Sequence, residues 1–499
     1  MLADINSKKD FIQHFFQKGV LIEPDALQDV DETKVQFNAL AEYLKNKQDS
    51  IKQEDIQNFL KQDISQDISS SGVKTPSSSK YNVKIVFNYI DEKRKRTAAD
   101  FVTYYNRRYQ ALSKLLRSRS ELLNLTSISK VGQDNNKSFD QISVIGMITD
   151  ISETKNKHFI LEVEDNTGKI KVLLSNKKEE LIKIGKDLVL DEVIGITGGY
   201  GKDIIFANKV VIPDIPLNKE LKKSPDEAYA VFLSDLHIGS KEFMDEEFNK
   251  FLKWINGEMG NEKQKSIAKK IGYVIIAGDL IEGIGIHPNQ EAVLKIKDIK
   301  KQYERCAELL SKIPPHIQIV LSPGNHDPPR LADPQPVLHR EYAESLWKLP
   351  NVIMTTSPGI VNIHSSEKFP GFDVLVYHGN SLFYYVDKIQ RLREAGGVDK
   401  IDVTLRYLLQ KRHLAPAHGS TLFIPDTRSD PLVIEKIPDF LVVGHIHKAA
   451  ASNYRSTTLI SGSCWDGISD YALKHGSHPE PARAIIVNLQ TRQLNIMKF

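Results

Sequence analysis

The sequence predicts a multidomain protein with an N-terminal helical module, a small β-barrel and a layered α/β domain. The chain has 499 residues, which exceeds the length that a single hydrophobic core usually organises. Apolar residues alternate with polar ones between about residues 142 and 212, which is typical of short strands with one solvated face. From residue 228 onward, continuous apolar runs alternate with helical patterns, which is typical of a sheet buried on both faces.

The first predicted element is a helical module over residues 1–65. Its apolar residues recur at helical spacing. They are Phe11, Ile12, Phe15 and Phe16, followed by Val35, Phe37, Leu40 and Leu44. Residues 66–80 predict a flexible linker, because their Ser, Gly and Pro content comes without apolar periodicity. We therefore expect a domain boundary within this linker.

The segment IQHFF, from Ile12 to Phe16, allows two interpretations. Its apolar and double-aromatic spacing matches a peptide that binds a sliding clamp, with Lys9 where such peptides usually have glutamine. Ordinary packing of an amphipathic helix explains the same residues. The sequence leaves both interpretations open.

Residues 81–139 predict a basic helical connector. Nine Lys or Arg residues and three acids lie between Asp91 and Arg119. One predicted helical face carries Phe101, Tyr105, Tyr109, Leu112 and Leu116. This face favours packing on the next domain, with the basic face solvated. The alternative is that the basic face contacts phosphates.

Residues 140–215 predict a small closed barrel. Five short strands with Gly-rich turns, including the turn Asp165–Gly168, fit into about 70 residues. This arrangement indicates a barrel of the oligonucleotide/oligosaccharide-binding type, the OB-fold. Because no row of aromatic residues follows the strands, we expect a docking platform more than a single-strand binding surface.

Residues 226–499 predict the layered α/β domain. Five of its apolar runs read AYAVFLS, YVIIAG, IQIVLSP, FDVLVYHG and DFLVVGH, and each leads into a candidate metal ligand. In chain order, the candidates are Asp235 with His237, Asp279, Asn325 with His326 and Asp327, His378, and His445 with His447. Ligands bind at the carboxyl ends of strands in open α/β sheets, so we expect these side chains to meet.

The spacing within these motifs supports the same expectation. In an extended segment residues i and i+2 point the same way. Asp235 with His237, and His445 with His447, are therefore each expected to present two ligands to one point. Gly278, Gly324 and Gly444 are expected to let the backbone turn where a Cβ atom would crowd the metals.

The five motifs together resemble those of the calcineurin-like metallophosphoesterases. That family has D-x-H, G-D, G-N-H-D or G-N-H-E, a single His, and G-H-x-H in the order found here. The resemblance implies two metals bridged by Asp279. It assigns Asp235, His237 and His447 to one metal, and Asn325, His378 and His445 to the other.

The resemblance also implies the chemistry. Two divalent metal ions would assist the attack of water on phosphorus. The histidine-rich ligand set favours manganese, with iron and zinc as alternatives and magnesium less suited. His326 would act at the leaving oxygen as a catalytic residue, with Asp327 as its orienting partner.

A closer resemblance covers most of residues 140–499. The segments GDLIEGIGIHPNQ, DPQPVLHREYAESLWKLPNV, KRHLAPAHGSTLFIPD and DPLVIEKIPDFLVVGHIHK are similar to the exonuclease subunits of archaeal family D DNA polymerases. Protein phosphatases of the superfamily read G-D-x-x-D-R-G and G-N-H-E, where this chain reads GDLIEG and GNHD. The resemblance implies a proofreading 3′–5′ exonuclease that acts on single-stranded or frayed 3′ ends of DNA. It also implies that the partner is a large catalytic polymerase subunit, which residues from the barrel onward would bind.

Two other function classes remain open from the sequence. One is a non-catalytic scaffold subunit of the polymerase, and the other is a phosphodiesterase acting on small nucleotides. The complete ligand set argues against the scaffold, and the modules ahead of the α/β domain argue against the small-nucleotide enzyme.

The remaining features bound the setting of the protein. No apolar run is long enough to cross a membrane and the N-terminal residues do not resemble a signal peptide, so we expect a cytoplasmic, nucleoid-associated protein. Two cysteines, Cys306 and Cys464, indicate a reducing compartment. Four further histidines are predicted to be structural or surface residues, namely His364, His413, His475 and His478. For the segment Arg412–Pro416, contact with DNA or the partner subunit is an alternative.

Overall fold

The computed structural model describes residues 8–17, 20–22, 27, 40, 44, 50–51, 55–56, 81–132, 141–288, 290–328, 330–467 and 478–499. The chain divides into two units, Met1–Lys74 and Thr75–Phe499. The division falls inside the predicted linker, and that linker lies outside the described residues. Within the part of the chain that is described, no helix is both long and apolar enough to cross a membrane.

The first unit contains helix α1 (Lys8–Gln17) and two short parallel strands, β1 (Leu21–Ile22) and β2 (Ser50–Ile51). Its core contains Phe11, Phe15, Val20, Leu27, Leu40, Leu44, Ile51 and Ile56. The helix predicted around Phe11 is therefore confirmed, whereas Val35 and Phe37 lie outside the described residues.

The clamp-like segment is divided between the two faces of α1. Phe15 is fully buried, while Ile12 is 46% and Phe16 74% exposed. A clamp-binding peptide would have to release Phe15 from this core, so its burial favours the packing interpretation.

The second unit begins with strand β3 (Val83–Phe87), followed by helix α2 (Ala98–Arg117). Helix α2 begins where the carboxylate of Asp100 accepts the N–H of Thr97 at 2.6 Å, because an acceptor there satisfies a free donor at the helix start. Its face packs on the barrel through a cluster that contains Tyr109, Leu112, Leu116, Leu122, Ile145, Met147, Val193 and Val211. The predicted packing of this helix is confirmed, with Arg107 and Lys114 exposed.

The predicted helical connector over residues 81–139 was wrong at its start. Strand β3 is an edge strand of the α/β domain, with Val83 opposite Ile363 and Phe87 opposite Ile360. Five residues of alternating burial give a weak local pattern, and the partner strand lies far along the chain.

The barrel consists of β4 (Gln141–Glu153), β5 (Phe159–Asp165), β6 (Gly168–Leu174), β7 (Val193–Gly201) and β8 (Ile204–Val211). The strands close in the order β4-β5-β6-β8-β7, and helix α3 (Glu179–Asp187) lies between β6 and β7. The side chain of Asp165 accepts the N–H groups of Thr167 and Gly168, which shapes the predicted turn. The five predicted strands are confirmed.

The remaining strands are β9 (Tyr229–Leu233), β10 (Ile271–Ala277), β11 (Gln318–Ser322), β12 (Val352–Met354), β13 (Gly359–Ile363), β14 (Phe372–Val376), β15 (Phe440–Val443), β16 (Ala450–Tyr454), β17 (Thr457–Ser461), β18 (Arg483–Asn488) and β19 (Leu494–Lys498). They form two six-stranded sheets. The first has the order β12-β11-β10-β9-β18-β19, and the second has the order β16-β17-β15-β14-β13-β3. Strands β9 to β12 are parallel, as are β14, β15 and β17.

Seven helices accompany these sheets in the described part of the second unit. They are α4 (Asp245–Ile255), α5 (Glu262–Ala268), α6 (Ile299–Leu310), α7 (Arg340–Trp347), α8 (Leu382–Lys388), α9 (Gln390–Glu394) and α10 (Ile401–Lys411). Helices α4, α6 and α7 contribute to a core cluster with the first sheet, and α8 to α10 to one with the second. The rings of Phe232 and Phe440 lie 5.6 Å apart between the two sheets. Both faces of β9 are buried, as its continuous apolar run predicts.

The barrel and the α/β domain share buried polar contacts. Lys411 Nζ lies 2.7 Å from Oε2 of Glu192, and Tyr407 donates to the backbone oxygen of Asp187 at 2.8 Å. Tyr454 donates to Asp214 at 2.8 Å. These bonds link the barrel side to α10 and β16, and both domains belong to one compact unit.

Candidate metal centre

The predicted ligands meet at the carboxyl ends of five strands of the two sheets. Strands β9 and β10 are neighbours in the first sheet, and β14 and β15 are neighbours in the second. The loops that follow β9, β10, β11, β14 and β15 carry the candidates. The described residues contain three groups in which the donor atoms of each group lie within 4.8 Å of one another. Together they contain Asp235, His237, Asp279, His326, His378, His445 and His447.

The backbone of these loops is left-handed at most ligands. The φ angles are 52° at Asp235, 49° at His237, 50° at Asp279, 70° at His445 and 57° at His447. Such angles are uncommon for residues other than glycine and concentrate at functional sites. The extended geometry that we expected for these two pairs was wrong. Strand β9 ends at Leu233 and β15 at Val443, and the ligands lie in the loops beyond them with left-handed φ.

Two glycines let the loops approach the carboxylates. A Cβ atom at Gly324 would lie 2.2 Å from Oδ1 of Asp279. A Cβ atom at Gly444 would lie 2.6 Å from Oδ2 of Asp235. These glycines are therefore required by the ligand side chains themselves, and not only by space for a metal.

The first donor group contains Asp235, His237 and His447. The two Nε2 atoms of His237 and His447 lie 3.1 Å apart, and Nε2 of His447 lies 3.4 Å from Oδ1 of Asp235. Donor atoms bound to one metal at about 2.1 Å lie about 3.0–3.4 Å from each other. Nε2 of His237 lies 4.0 Å from Oδ1 of Asp235, so two of the three spacings match those of donors on one metal ion.

The second donor group contains Asn325, His378 and His445, and Asp279 lies beside it. Nε2 of His378 lies 2.9 Å from Oδ1 of Asn325 and 3.2 Å from Oδ2 of Asp279. The His445 ring centroid lies 5.0 Å from that of His378. This group has a spacing similar to that of the first.

Asp279 lies between the two groups. Its Oδ2 atom is 3.2 Å from His378 Nε2 and 3.8 Å from His237 Nε2. Its Oδ1 atom accepts the backbone N–H of His326 at 2.8 Å. The geometry therefore places one carboxylate oxygen, and not one oxygen for each metal, between the two donor groups.

The outward hydrogen bonds of the histidines indicate where their lone pairs point. Nδ1 of His237 lies 2.8 Å from Oε2 of Glu282, and Nδ1 of His378 lies 2.9 Å from the backbone oxygen of Ala277. Donation from Nδ1 leaves Nε2 of each ring facing other acceptors, where either a proton on the ring or a cation is needed. A cation satisfies such a convergence of acceptors, so the donor set fits a metal centre.

The carboxylates beside the rings of His237 and His378 also change the pKa values of these rings. Burial lowers the pKa of His237, but Glu282 and Asp279 outweigh it and raise this pKa to about 10. Burial likewise opposes protonation of His378, and Asp279 raises its pKa to about 9. The carboxylates thus favour positive charge at both Nε2 atoms.

His326 lies beside this centre. Its ring centroid is 4.6 Å from that of His237, and its Nδ1 atom lies 2.8 Å from the backbone oxygen of Glu282. Burial lowers the pKa of the ring, which favours its neutral form. The structure therefore brings His326 to the edge of the first donor group, as predicted.

Asp327 has partners that differ from our expectation. Its carboxylate accepts from the backbone N–H groups of Leu280 and Gly324 at 3.0 Å each and from the hydroxyl of Tyr303 at 2.9 Å. Burial, with the charge of Asp279, raises its pKa to about 7. The predicted pairing of Asp327 with the His326 ring was wrong in this geometry, because the ring hydrogen-bonds to the backbone of Glu282.

Glu282 is the site residue that the sequence analysis missed. Besides binding His237, it accepts from Gln290 Nε2 at 2.9 Å. Its hydrogen bond to His237 outweighs burial and lowers its pKa to about 2, so it is a carboxylate. The signal was present in GDLIEG, where an acid stands three residues after Asp279, but no role was predicted for that acid.

Two of the other histidines have structural contacts. Nε2 of His364 lies 3.0 Å from Oδ1 of Asp226, and Nε2 of the buried His413 lies 2.8 Å from Oδ2 of Asp430. Burial lowers the pKa of His413 to about 4. His478 is exposed, and His475 lies outside the described residues. Because every residue from Arg412 to Pro416 is buried, the alternative of a DNA or partner contact for that segment was wrong.

Comparisons with known proteins match both domains of the second unit. Residues 230–452 match the family of the B subunits of DNA polymerases alpha and epsilon, and residues 142–212 match the OB-fold nucleic acid binding domain. The DNA polymerase II small subunit of Methanothermobacter thermautotrophicus is 33% identical over 489 residues, covering 96% of this chain and 98% of that protein. That of Archaeoglobus fulgidus is 38% identical over 387 residues, covering 78% of this chain and 74% of that protein. That of Thermoplasma acidophilum is 30% identical over 497 residues, covering 99% of this chain and 93% of that protein.

Proposed function

Because this chain belongs to the family of archaeal DNA polymerase II small subunits, we propose that it is the 3′–5′ exonuclease subunit of a two-subunit replicative polymerase. Its substrate is DNA with a single-stranded or frayed 3′ end. Its partner is the large catalytic subunit, as the name of the relatives suggests.

One observation carries the proposal of hydrolysis. The Nε2 atom of His378 lies 2.9 Å from the Asn325 side-chain oxygen and 3.2 Å from Asp279 Oδ2, while its Nδ1 atom is committed to Ala277. Burying several hydrogen-bond acceptors close together is unfavourable without a cation, and a subunit that served only as a scaffold would not need such an arrangement. This convergence supports retained metal binding.

The residues proposed to hold metal are those of the two donor groups. They are Asp235, His237 and His447, then Asn325, His378 and His445, with Asp279 between them. When bound, two divalent cations supply polarisation of the phosphoryl oxygens and of the attacking water. We propose Mn²⁺, because the set is rich in imidazole with few carboxylates; Fe²⁺, Zn²⁺ and Mg²⁺ are the alternatives.

The side chains of the protein have separate tasks in the reaction. Asp279 and Glu282 keep the histidines oriented, and the backbone N–H of His326 fixes Asp279. The His326 ring donates from Nδ1 to the backbone oxygen of Glu282, so Nε2 carries a proton only in the imidazolium form. Its task is to give that Nε2 proton to the leaving oxygen, which requires the ring to be protonated when substrate is bound. Asp327 holds the backbone of Leu280 and Gly324, which places it in a positioning role.

The bond changes define the polarity. The oxygen of water forms a bond to phosphorus, the bond from phosphorus to O3′ breaks, and a proton passes to O3′. The products are a 5′-nucleoside monophosphate and a strand that is one nucleotide shorter with a free 3′-hydroxyl.

The test uses the purified chain, Mn²⁺ and a 5′-labelled single-stranded oligonucleotide, with and without chelator. Stepwise shortening from the 3′ end, lost with chelator and restored by Mn²⁺, is the expected result. Absence of shortening, both alone and with the large subunit, would contradict the proposal and favour a scaffold. Shortening from the 5′ end would contradict the polarity.

A further inference from the structure

Phe383 lies at the edge of the candidate metal centre. It is the second residue of α8 (Leu382–Lys388), which begins shortly after His378. Its ring centroid is 5.3 Å from the ring of His445, with the two planes at 72°. An aromatic side chain therefore lies directly against a proposed ligand.

Helix α8 does not need Phe383 for packing. Leu382, Tyr385 and Val386 form its buried face and join the core of the second sheet. Phe383 lies on the other face, 48% exposed, near the exposed Asp387. A half-exposed aromatic ring on the polar face of a helix is left for another contact.

The site places Phe383 and His326 at different donor groups. The His326 ring is 4.6 Å from His237, in the first group, and the Phe383 ring is 5.3 Å from His445, in the second. If His326 acts at O3′, the nucleotide that departs with the phosphate extends toward the other group. Its base would then reach the neighbourhood of Phe383.

We propose that Phe383 stacks on the base of the 3′-terminal nucleotide and so positions the last phosphodiester for hydrolysis. This inference rests on the proposed exonuclease function and names the substrate contact of the same site. Stacking needs a free base face and no particular hydrogen-bonding edge. Phe383 therefore selects for an unpaired end and tolerates all four bases.

The experiment compares two 5′-labelled single strands that differ only in whether the 3′-terminal nucleotide carries a base. The variants are Phe383→Ala and Phe383→Trp. Ile496→Ala is the matched control, because Ile496 is an apolar side chain of similar exposure, 46%, on the edge strand β19. Removal of the first nucleotide is followed under single-turnover conditions, with metal content measured in each variant.

One stacked base contributes a factor of about 10 to 100. We expect the wild-type protein to remove the abasic nucleotide slower than the normal one by that factor. Phe383→Ala should slow removal of the normal nucleotide equally, through a weaker apparent affinity, and leave the abasic rate and the metal content unchanged. Phe383→Trp should restore the preference, and Ile496→Ala should match the wild-type protein.

Equal slowing of both strands by Phe383→Ala, or no slowing of either, would overturn the inference while leaving the proposed function in place. Failure to bind the large subunit, with unchanged rates, would assign Phe383 to the interface between the two subunits and also overturn it. If the wild-type protein shortened neither strand, the proposed function would fail and the inference with it.

Discussion

The histidines at the metal centre are fixed from the side that faces away from it. Glu282 binds Nδ1 of His237, and the backbone oxygen of Ala277 binds Nδ1 of His378. His445 is held differently, because its backbone N–H donates to Asp235, itself a proposed ligand, at 3.0 Å. Ligands held in this way are oriented before a metal binds, and loss of an outer partner should weaken metal binding without removing a ligand.

Asp279→Asn should reduce hydrolysis by at least about 1000-fold while the protein stays folded. The amide still accepts the His326 N–H through its oxygen, but its NH₂ group replaces the negative oxygen between His378 and His237. The measurements are the exonuclease rate, the metal content and the thermal unfolding midpoint. Full activity at unchanged metal content would show that Asp279 does not bridge the metals.

His326→Ala should have a different outcome. If the ring acts at the leaving oxygen, the variant should keep both metals and lose most turnover, about 100-fold or more. Its proximity to His237 and Asp279 makes the metal measurement decisive. A fall in metal content parallel to the fall in rate would identify His326 as a ligand.

Glu282→Gln should lower metal affinity by about 10- to 100-fold, with most of the turnover recovered at saturating metal. The amide removes the negative charge that His237 contacts at 2.8 Å. Titration of activity with Mn²⁺ measures the change. Glu291→Gln changes an exposed acid in the same loop and is the control, so its Mn²⁺ titration curve should match that of the wild-type protein. An unchanged titration curve for Glu282→Gln would show that Glu282 does not support metal binding.

At the scale of elements, helix α2 is attached to the α/β domain by a buried ion pair. Nε of Arg108 lies 2.7 Å from Oδ2 of Asp430, and the hydroxyl of Tyr104 lies 2.6 Å from Oδ1. The same carboxylate contacts His413. Buried groups of this kind tolerate loss of a partner poorly, since an unpaired charge would remain.

The neutral state of His413 makes stability depend on pH. Its folded pKa of about 4 lies below the ordinary value of 6.5, because burial and the charge of Arg108 disfavour its proton although Asp430 favours it. The unfolded chain therefore binds a proton between pH 6.5 and 4 that the native protein does not. The free energy of unfolding should fall by about 3 kcal/mol as pH drops through that window.

Urea unfolding at pH 7 and pH 4.5 tests this dependence. His413→Gln should lose less stability between the two pH values than the wild-type protein, because glutamine does not titrate and can still donate to Asp430. His478→Gln changes an exposed histidine and should leave the wild-type dependence intact. Identical pH dependence in all three proteins would contradict the assignment.

The elements that the sequence predicted well are those whose pattern is local. Continuous apolar runs predicted the strands. Asp235, Asp279 and His445 were predicted as ligands because they follow those runs directly. The turns that orient these ligands were not predicted, because a left-handed φ at a non-glycine residue is imposed by tertiary contacts. Glu282 was missed since its partner, His237, lies 45 residues away.

At the scale of the molecule, the chain divides into the units Met1–Lys74 and Thr75–Phe499. A chain that begins at Tyr81 should still bind the large subunit and keep exonuclease activity, because residues 75–80 are the only part of the second unit that it lacks. Pull-down with the large subunit and the exonuclease assay measure both properties. Loss of the large subunit from this truncated chain would place the main interface in the first unit.

A chain that begins at Ala98 is the control for this truncation. It also removes β3 and Tyr81, whose ring stacks 6.3 Å from His364 and lies 5.5 Å from Tyr273. We expect a lower thermal unfolding midpoint and aggregation, since the edge of β13 becomes unpaired. Similar stability of the two truncated chains would contradict the role of β3.

The pairing of β3 with β13 also governs the order in which the protein can fold during synthesis. Val83 of β3 pairs with Ile363 of β13, so the ribosome must add 280 residues after Val83 before its partner residue exists. At about 5–20 residues per second, that interval is roughly 14 to 56 seconds. The barrel is synthesised during this interval and can form its own core while strand β3 is still unpaired. Chaperone dependence of the nascent chain should therefore trace to its earliest strand in the second unit.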